Sequence, residues 1–193
     1  DHRDLHLSLR RQRQMCIRDS PDTAPYGRQL ILARRLVERG VRFVQVLSPP
    51  PHNVWDHHSG LNDNLPVICR KTDLPSAALI TDLKRRGLLD QTVVIWTGEF
   101  GRLPTAEGKA AHGRGHNPNG FTLLLAGGGL KGGQVIGQST RDGGQPTGSP
   151  LGPKHLISSI LHTVFNVAEL RLVPSIPASI NRLAEFDTIP GMG

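Results

Sequence analysis

The stretch Thr92–Pro104, TVVIWTGEFGRLP, runs from six largely apolar residues into a glycine, a carboxylate and an arginine. β-Branched and aromatic residues predict a strand here, and the glycines on either side of Glu99 predict a tight turn at its end. In an open α/β sheet, ligands collect outside the carboxyl ends of parallel strands, because successive loops converge there. Glu99 is therefore a candidate functional carboxylate, with a helix cap or a solvated surface charge as the ordinary alternatives.

The flanking sequence repeats the pattern. PYGRQLILARRLVERG places Leu30, Ala33, Leu36 and Val37 on one helical face, with Pro25 near its start and Gly40 as its stop. VRFVQVL, followed by SPPP, predicts a strand, and residues 74–89 predict a second helix through Ala77, Ala78, Ile80, Leu83 and Leu88. With the strand at 92–97 this reads αβαβ, which predicts an α/β fold with a mostly parallel sheet. GFTLLLAGGG predicts a third strand, QVIGQST irregular or hairpin structure, and GPKHLISSILHTVFNV a last amphipathic helix. Residues 172–193, rich in proline, predict an extended tail. The opening residues 1–20 lack the apolar core of a signal peptide, and RQMCIRDS is similar to translated sequencing-adaptor read-through. They are set aside as a non-native or disordered leader, leaving 21–193 as the portion that folds.

Composition narrows the classes of function. No apolar run approaches the roughly 18 residues of a membrane span. The 193 residues carry a formal charge of +7, which favours anionic partners, yet Lys and Arg are scattered and aromatics make up only 4%. No basic helix with interleaved aromatics exists to read nucleic acid. Cys16 and Cys69 have no paired spacing, so neither a disulfide framework nor a zinc knuckle is expected. GGGLKG at 127–132 fits a dinucleotide fingerprint, but the five further glycines of GQVIGQSTRDGGQPTG leave no helical period to receive a pyrophosphate. A nucleotide-dependent oxidoreductase is thereby set aside, and the run reads as a glycine-rich turn carrying Lys131.

The loop after the 41–47 strand carries HNVWDHHSGLND, with Asp56 and His58 at spacing two, and AAHGRGHNPNGF brings His116 just before the third strand. Carboxylate oxygen and imidazole nitrogen suit a hard-to-borderline ion such as Zn²⁺ when three or four of them meet. The bland account of such a cluster is a solvated polar loop. His116 precedes its strand, so it shares the edge of Glu99 only if the loop from Gly101 to Gly120 folds back or the third strand runs antiparallel. Arg102 either pairs with Glu99 or holds an anionic substrate oxygen.

Taken in order, GRQLILARRLVERGVRFVQV, WDHHSGLN, TGEFGRLP, GRGHNPNGFTLLLAGGGLKGG and GQST resemble the sulfatase-like domain-of-unknown-function family 1501, DUF1501, over about residues 26–166. The resemblance implies membership of the alkaline phosphatase superfamily, here as a partial α/β/α sandwich, and an exported bacterial protein of the periplasm or extracellular space. It implies divalent-metal hydrolysis of sulfate or phosphate esters, with zinc as the first choice of ion and calcium, magnesium or manganese as alternatives. The family pattern Trp-Asp-Thr-His falls on Trp55, Asp56, His57 and His58, which makes Asp56 and His58 implied ligands, joined by Glu99 and His116. Phe100 stands where many relatives have a histidine, and Gly115 where the pattern has an aspartate.

No nucleophile is assignable. The sulfatase signature Cys or Ser, any residue, Pro, any residue, Arg is matched neither by CIRDS nor by CRKTD, and the resemblance implies that this chain is the C-terminal part of a larger protein. Arg102 and Lys131 are candidates for binding the anion. The expected partner is a small anionic ester or a sulfated polysaccharide. The alternative is a non-catalytic sulfatase-like protein that binds anionic polysaccharide or a protein partner, motivated by Phe100, Gly115 and the basic balance.

Overall fold

The computed structural model describes residues 21–47, 54–106 and 112–190. The leader 1–20, with Cys16, and His52 lie outside the described residues. The chain divides into two compact units, one of residues 1–88 with 105–115 and one of 89–104 with 116–193.

The first unit packs two helices, α1 (Ala24–Glu38) and α2 (Leu61–Arg85). Tyr26 and Leu30 of α1 are buried, as are Ile68, Thr72, Pro75 and Leu83 of α2. These four recur at helical spacing on one face of α2, so burial of that stripe holds the pair together. Both helices end in the same way. Gly40, at φ +86°, lets Gly40 N–H donate to Val37 O and Val41 N–H to Leu36 O; Gly87, at φ +69°, does the same toward Lys84 and Leu83. That pair of bonds is the Schellman stop, and its left-handed residue favours glycine.

α2 differs from the expected helix over 74–89 at both ends. It starts at Leu61 and stops at Arg85 because Gly87 terminates it. Pro66 and Pro75 lie inside it. A proline removes one backbone hydrogen bond and normally breaks a helix. Here the buried Thr72 hydroxyl donates to Ile68 O at 3.1 Å, and Pro75 itself lies in the buried face. Tertiary burial overrides the local signal.

Charge fastens the two helices. Arg34, 4% exposed, bonds Glu38 one turn on and lies 3.0 Å from Asp82 Oδ2 of α2 as an ion pair. Arg86 completes a closed square, 3.0 Å from Glu38 and 2.9 Å from Asp82. A buried guanidinium is tolerable only when carboxylates surround it. After α1, the expected strand 41–47 forms no strand among the described residues, and Phe43 and Leu47 are exposed. β-Propensity sets an extended backbone; only a neighbouring strand makes it a ladder.

The second unit begins with a 3₁₀ turn at Leu89–Gln91 and holds three two-stranded sheets. β1 (Val93–Trp96) pairs with β4 (Leu124–Gly127), β2 (Gly101–Arg102) with β3 (His116–Asn117), and β5 (Gln138–Ser139) with β6 (Pro146–Thr147), every pair antiparallel. The mostly parallel sheet expected from αβαβ is thus corrected: the described residues combine helices with small antiparallel sheets. A parallel return needs a crossover, usually a helix. Between β1 and β4 the described residues contain none, only the short β2–β3 pair.

The glycine run is a turn, with Gly127, Gly128 and Gly129 all at positive φ and Gly128 N–H donating to Leu89 O at 2.8 Å. A β-carbon on Gly127 would collide with Thr92 O. No helix follows it until α3 (Pro153–Val164). Asn117, buried, donates from Nδ2 to Gly144 O at 3.0 Å and so ties β3 to the β5–β6 hairpin.

The segment after Leu172 is less extended than its prolines predict. α4 (Val167–Leu170) precedes it, α5 (Ala178–Leu183) lies within it, and Ala184 and Ile189 are buried. Two fully buried serines of α3 explain why. Ser158 Oγ donates to Phe186 O at 2.6 Å, while Ser159 Oγ donates to His155 O at 2.7 Å and accepts Ile189 N–H at 2.7 Å. His162 Nε2 lies 3.1 Å from Ala184 O. Prolines set only local geometry, whereas these bonds seat the tail on α3.

Two stability outcomes follow from the two fastenings. Arg34→Ala removes the buried guanidinium and leaves Glu38 and Asp82 with Arg86 as their remaining partner, which lowers unfolding free energy by about 1.5–3 kcal/mol. Ser159→Val leaves Ile189 N–H unpaired and costs about 1–3 kcal/mol. Urea denaturation of the whole chain, monitored by circular dichroism, measures both.

Candidate metal centre

In the first unit, α2 begins immediately after Ser59–Gly60. Gly60 adopts the left-handed conformation at φ 60°, ψ 29°, and its carbonyl accepts Asn64 N–H at 3.0 Å, so the loop turns sharply into the helix. A returning segment, residues 112–115, lies against this loop. Arg114 N–H donates to His57 O at 2.9 Å and Leu61 N–H donates to His112 O at 2.9 Å. Gly113 packs so closely that a β-carbon there would overlap the His58 carbonyl. Backbone pairing across more than fifty residues of sequence therefore holds the loop.

Within it, His57 is buried and its neighbours Asp56 and His58 are progressively more open. Asp56 Oδ1 and His58 Nε2 stand 3.2 Å apart. That separation serves an ordinary carboxylate–imidazole pair. It also matches the edge of a tetrahedral ion, since bonds of roughly 2.0–2.1 Å set ligand atoms about 3.3–3.4 Å apart. The donor chemistry, one carboxylate oxygen and one imidazole nitrogen, is of the kind that divalent cations accept.

In the second unit, antiparallel pairing answers the question left open about His116. Trp96, the end of β1, faces Leu124, the start of β4, so the chain leaving β1 and the chain entering β4 share one end of the sheet. Glu99 follows β1; His116 precedes β4. The β2–β3 pair completes this, with Arg102 opposite His116. The Phe100 and His116 rings lie 4.5 Å apart, and the Arg102 guanidinium sits 5.1 Å from the Phe100 centroid.

Glu99 is engaged by Arg102, with Arg102 Nη2 3.3 Å from Glu99 Oε1, and its side chain is 64% exposed. Arg102 also donates to Gly101 O at 3.2 Å. The pairing that the sequence left as one of two roles for Arg102 is thus present. Lys131 lies on an exposed glycine-rich loop, its carbonyl accepting Gln134 Nε2 at 2.7 Å.

Cys69 sits mid-helix in α2. Burial pushes its thiol pKa up, with Asp73 adding to the effect. The sequence reading missed the pin between 57–61 and 112–114. Its one visible signal was the glycine of HGRGH, which a close backbone approach requires.

The family model described as "Protein of unknown function (DUF1501)" matches residues 2–173. The chain belongs to this family. The match begins inside the leader segment set aside on sequence grounds. No curated protein and no solved structure matches the chain.

Gly113→Ala drives a methyl group into the His58 carbonyl and separates the pinned strands. It is expected to destabilise the chain by about 1–3 kcal/mol. Hydrogen exchange then accelerates at the Leu61 and Arg114 amides while the α1 amides keep their relative order of protection.

Proposed function

We infer that Asp56 and His58 take part in holding one divalent cation, with zinc the first choice and His116 the further ligand that the sequence supplies, in a hydrolase of sulfate or phosphate esters. The observation that carries this reading is the Asp56–His58 donor pair, 3.2 Å apart on a loop whose backbone is bonded to residues 112 and 114. A bound ion would polarise the ester oxygens and stabilise the leaving oxygen. The chain's own residues then orient and neutralise. Arg102, on the strand opposite His116, offers a guanidinium for a substrate oxygen, and Lys131 adds a second positive charge. Glu99 restrains Arg102 rather than completing the donor set, because its exposed carboxylate is already paired. Placement in the alkaline phosphatase superfamily and export from the cell belong to the same proposal.

The test is elemental analysis of purified protein. Wild type retains zinc, or another divalent ion when refolded with it, while Asp56→Ala, His58→Ala and His116→Ala fall to background and Glu99→Ala does not. Equal metal in all five proteins would end the assignment. Turnover of aryl sulfate and aryl phosphate esters separates the hydrolase from the alternative, a non-catalytic binder of anionic polysaccharide. Hydrolysis lost on His58→Ala supports the enzyme; metal retention without turnover supports the binder.

A further inference from the structure

The first turn of α3, in the second unit, is closed by an uncommon partner. Gly152, the residue just before the helix, has no side chain with which to cap it, and Pro153 opens the helix without an N–H. His155 reaches back from the third helical position instead. Its Nδ1 accepts Gly152 N–H at 2.8 Å, a bond that glutamate or glutamine ordinarily makes from that place. His155 N–H in turn donates to Gly152 O at 3.0 Å.

The acceptor sets a condition on this bond. A ring nitrogen that accepts an N–H needs its lone pair, so the bond exists only while the imidazole is neutral with its proton on Nε2. Imidazole is also the side chain that ordinarily changes charge between about pH 5 and 8. Protonation turns Nδ1 into a donor facing another donor, and it sets a positive charge at a helix N-terminus, where the aligned peptide dipoles repel it. The closed cap admits only the neutral ring. Protons therefore favour the open form, and closure is lost as pH falls.

The charges around His155 are few. On α3 its neighbour Lys154 places Nζ 4.5 Å from the Phe186 centroid and opposes a second positive charge nearby. The tail brings the Phe186 ring edge-on to the His155 ring, centroids 6.5 Å apart, with Glu185 and Asp187 flanking it in sequence. α5, which packs on α3, carries Arg182, and residues 146–152 include no charged side chain. Carboxylates and guanidinium as classes do not titrate between about pH 5.5 and 7.5, which leaves the histidines to respond there. His162, near the other end of α3, responds in the opposite sense. Its Nε2 lies 3.1 Å from Ala184 O, and since a carbonyl only accepts, Nε2–H donates in both charge states.

The cap is also joined to the tail. Ser159 Oγ donates to His155 O and accepts Ile189 N–H, each at 2.7 Å, so the first turn of α3 and the end of the tail share one hydroxyl. We propose that His155 is a pH-sensitive latch. Neutral, it caps α3 and helps seat residues 186–189; protonated, it opens the first turn and loosens that part of the tail, while His162 keeps Ala184. The latch is independent of any bound metal.

The experiment measures amide exchange of the whole chain by NMR at about pH 7.5 and about pH 5.5, corrected for the intrinsic pH dependence of exchange, in wild type, His155→Gln and His162→Gln. Wild type is expected to lose about three- to tenfold of its protection at Gly152 and Ile189 on acidification. His155→Gln, whose side-chain carbonyl accepts at either pH, keeps that protection, and His162→Gln loses it as wild type does. His155→Glu replaces the glutamine variant if that one melts early. Equal wild-type protection at both pH values, a wild-type loss persisting in the His155 variant, or its abolition by His162→Gln would each overturn the latch. Ring ¹⁵N spectra at the higher pH give a direct check: an unprotonated Nδ1 on His155 is expected, and an Nδ1–H tautomer removes the proposal at its origin.

Discussion

The arrangement depends on one piece of backbone bonding, the donation from Arg114 N–H to His57 O together with that from Leu61 N–H to His112 O. Loops that carry polar clusters are ordinarily mobile, because their main-chain groups are satisfied by water. Here the loop before α2 is closed on one side by the helix and on the other by residues 112–115. Gly113 is the residue that permits this, since any side chain at that point would meet the His58 carbonyl. Asp56 and His58 are thereby displayed from a backbone bonded to a second segment, with their donor atoms 3.2 Å apart.

Electrostatics divide the ionisable residues into two kinds. Arg34, Glu38, Asp82 and Arg86 form a closed set of partners between α1 and α2, partly buried and committed to holding the helices. Glu99 and Arg102 form an open pair at the sheet end, with the carboxylate largely in solvent. An exposed ion pair contributes little to stability, so its presence there is better read as control of where the guanidinium points. The helix-binding square and the sheet-end pair use the same chemistry in different dielectric surroundings.

Helix positions were legible where periodicity and stop signals agreed. α1 carried its apolar stripe, Pro25 and Gly40, and its observed ends follow from them. α2 was legible only in its second half, because Pro66 and Pro75 read locally as breaks while burial of Ile68, Thr72 and Pro75 against α1 sustains the helix. The glycine run was read correctly as a turn. Strand direction was not legible: alternation and β-branched residues mark an extended segment equally well for either direction, and the parallel expectation came from element order alone. The tail's seat on α3 was hidden for a related reason, since Ser158 and Ser159 look like two polar interruptions of an amphipathic helix until Phe186 and Ile189 arrive to bond them.

Sequence by itself determined the helix where periodicity and stop signals agree, as in α1, where glycine must turn the chain, and that carboxylate and imidazole side chains sit in loops. Those properties follow from each residue's own conformational and solvation preferences. Tertiary structure decided the pairings, namely β1 against β4 in antiparallel register, Arg102 opposite His116, Glu99 with Arg102, and Gly113 against His58. A pairing is a property of two distant segments at once, set by which backbone groups find partners, and no local preference carries that information.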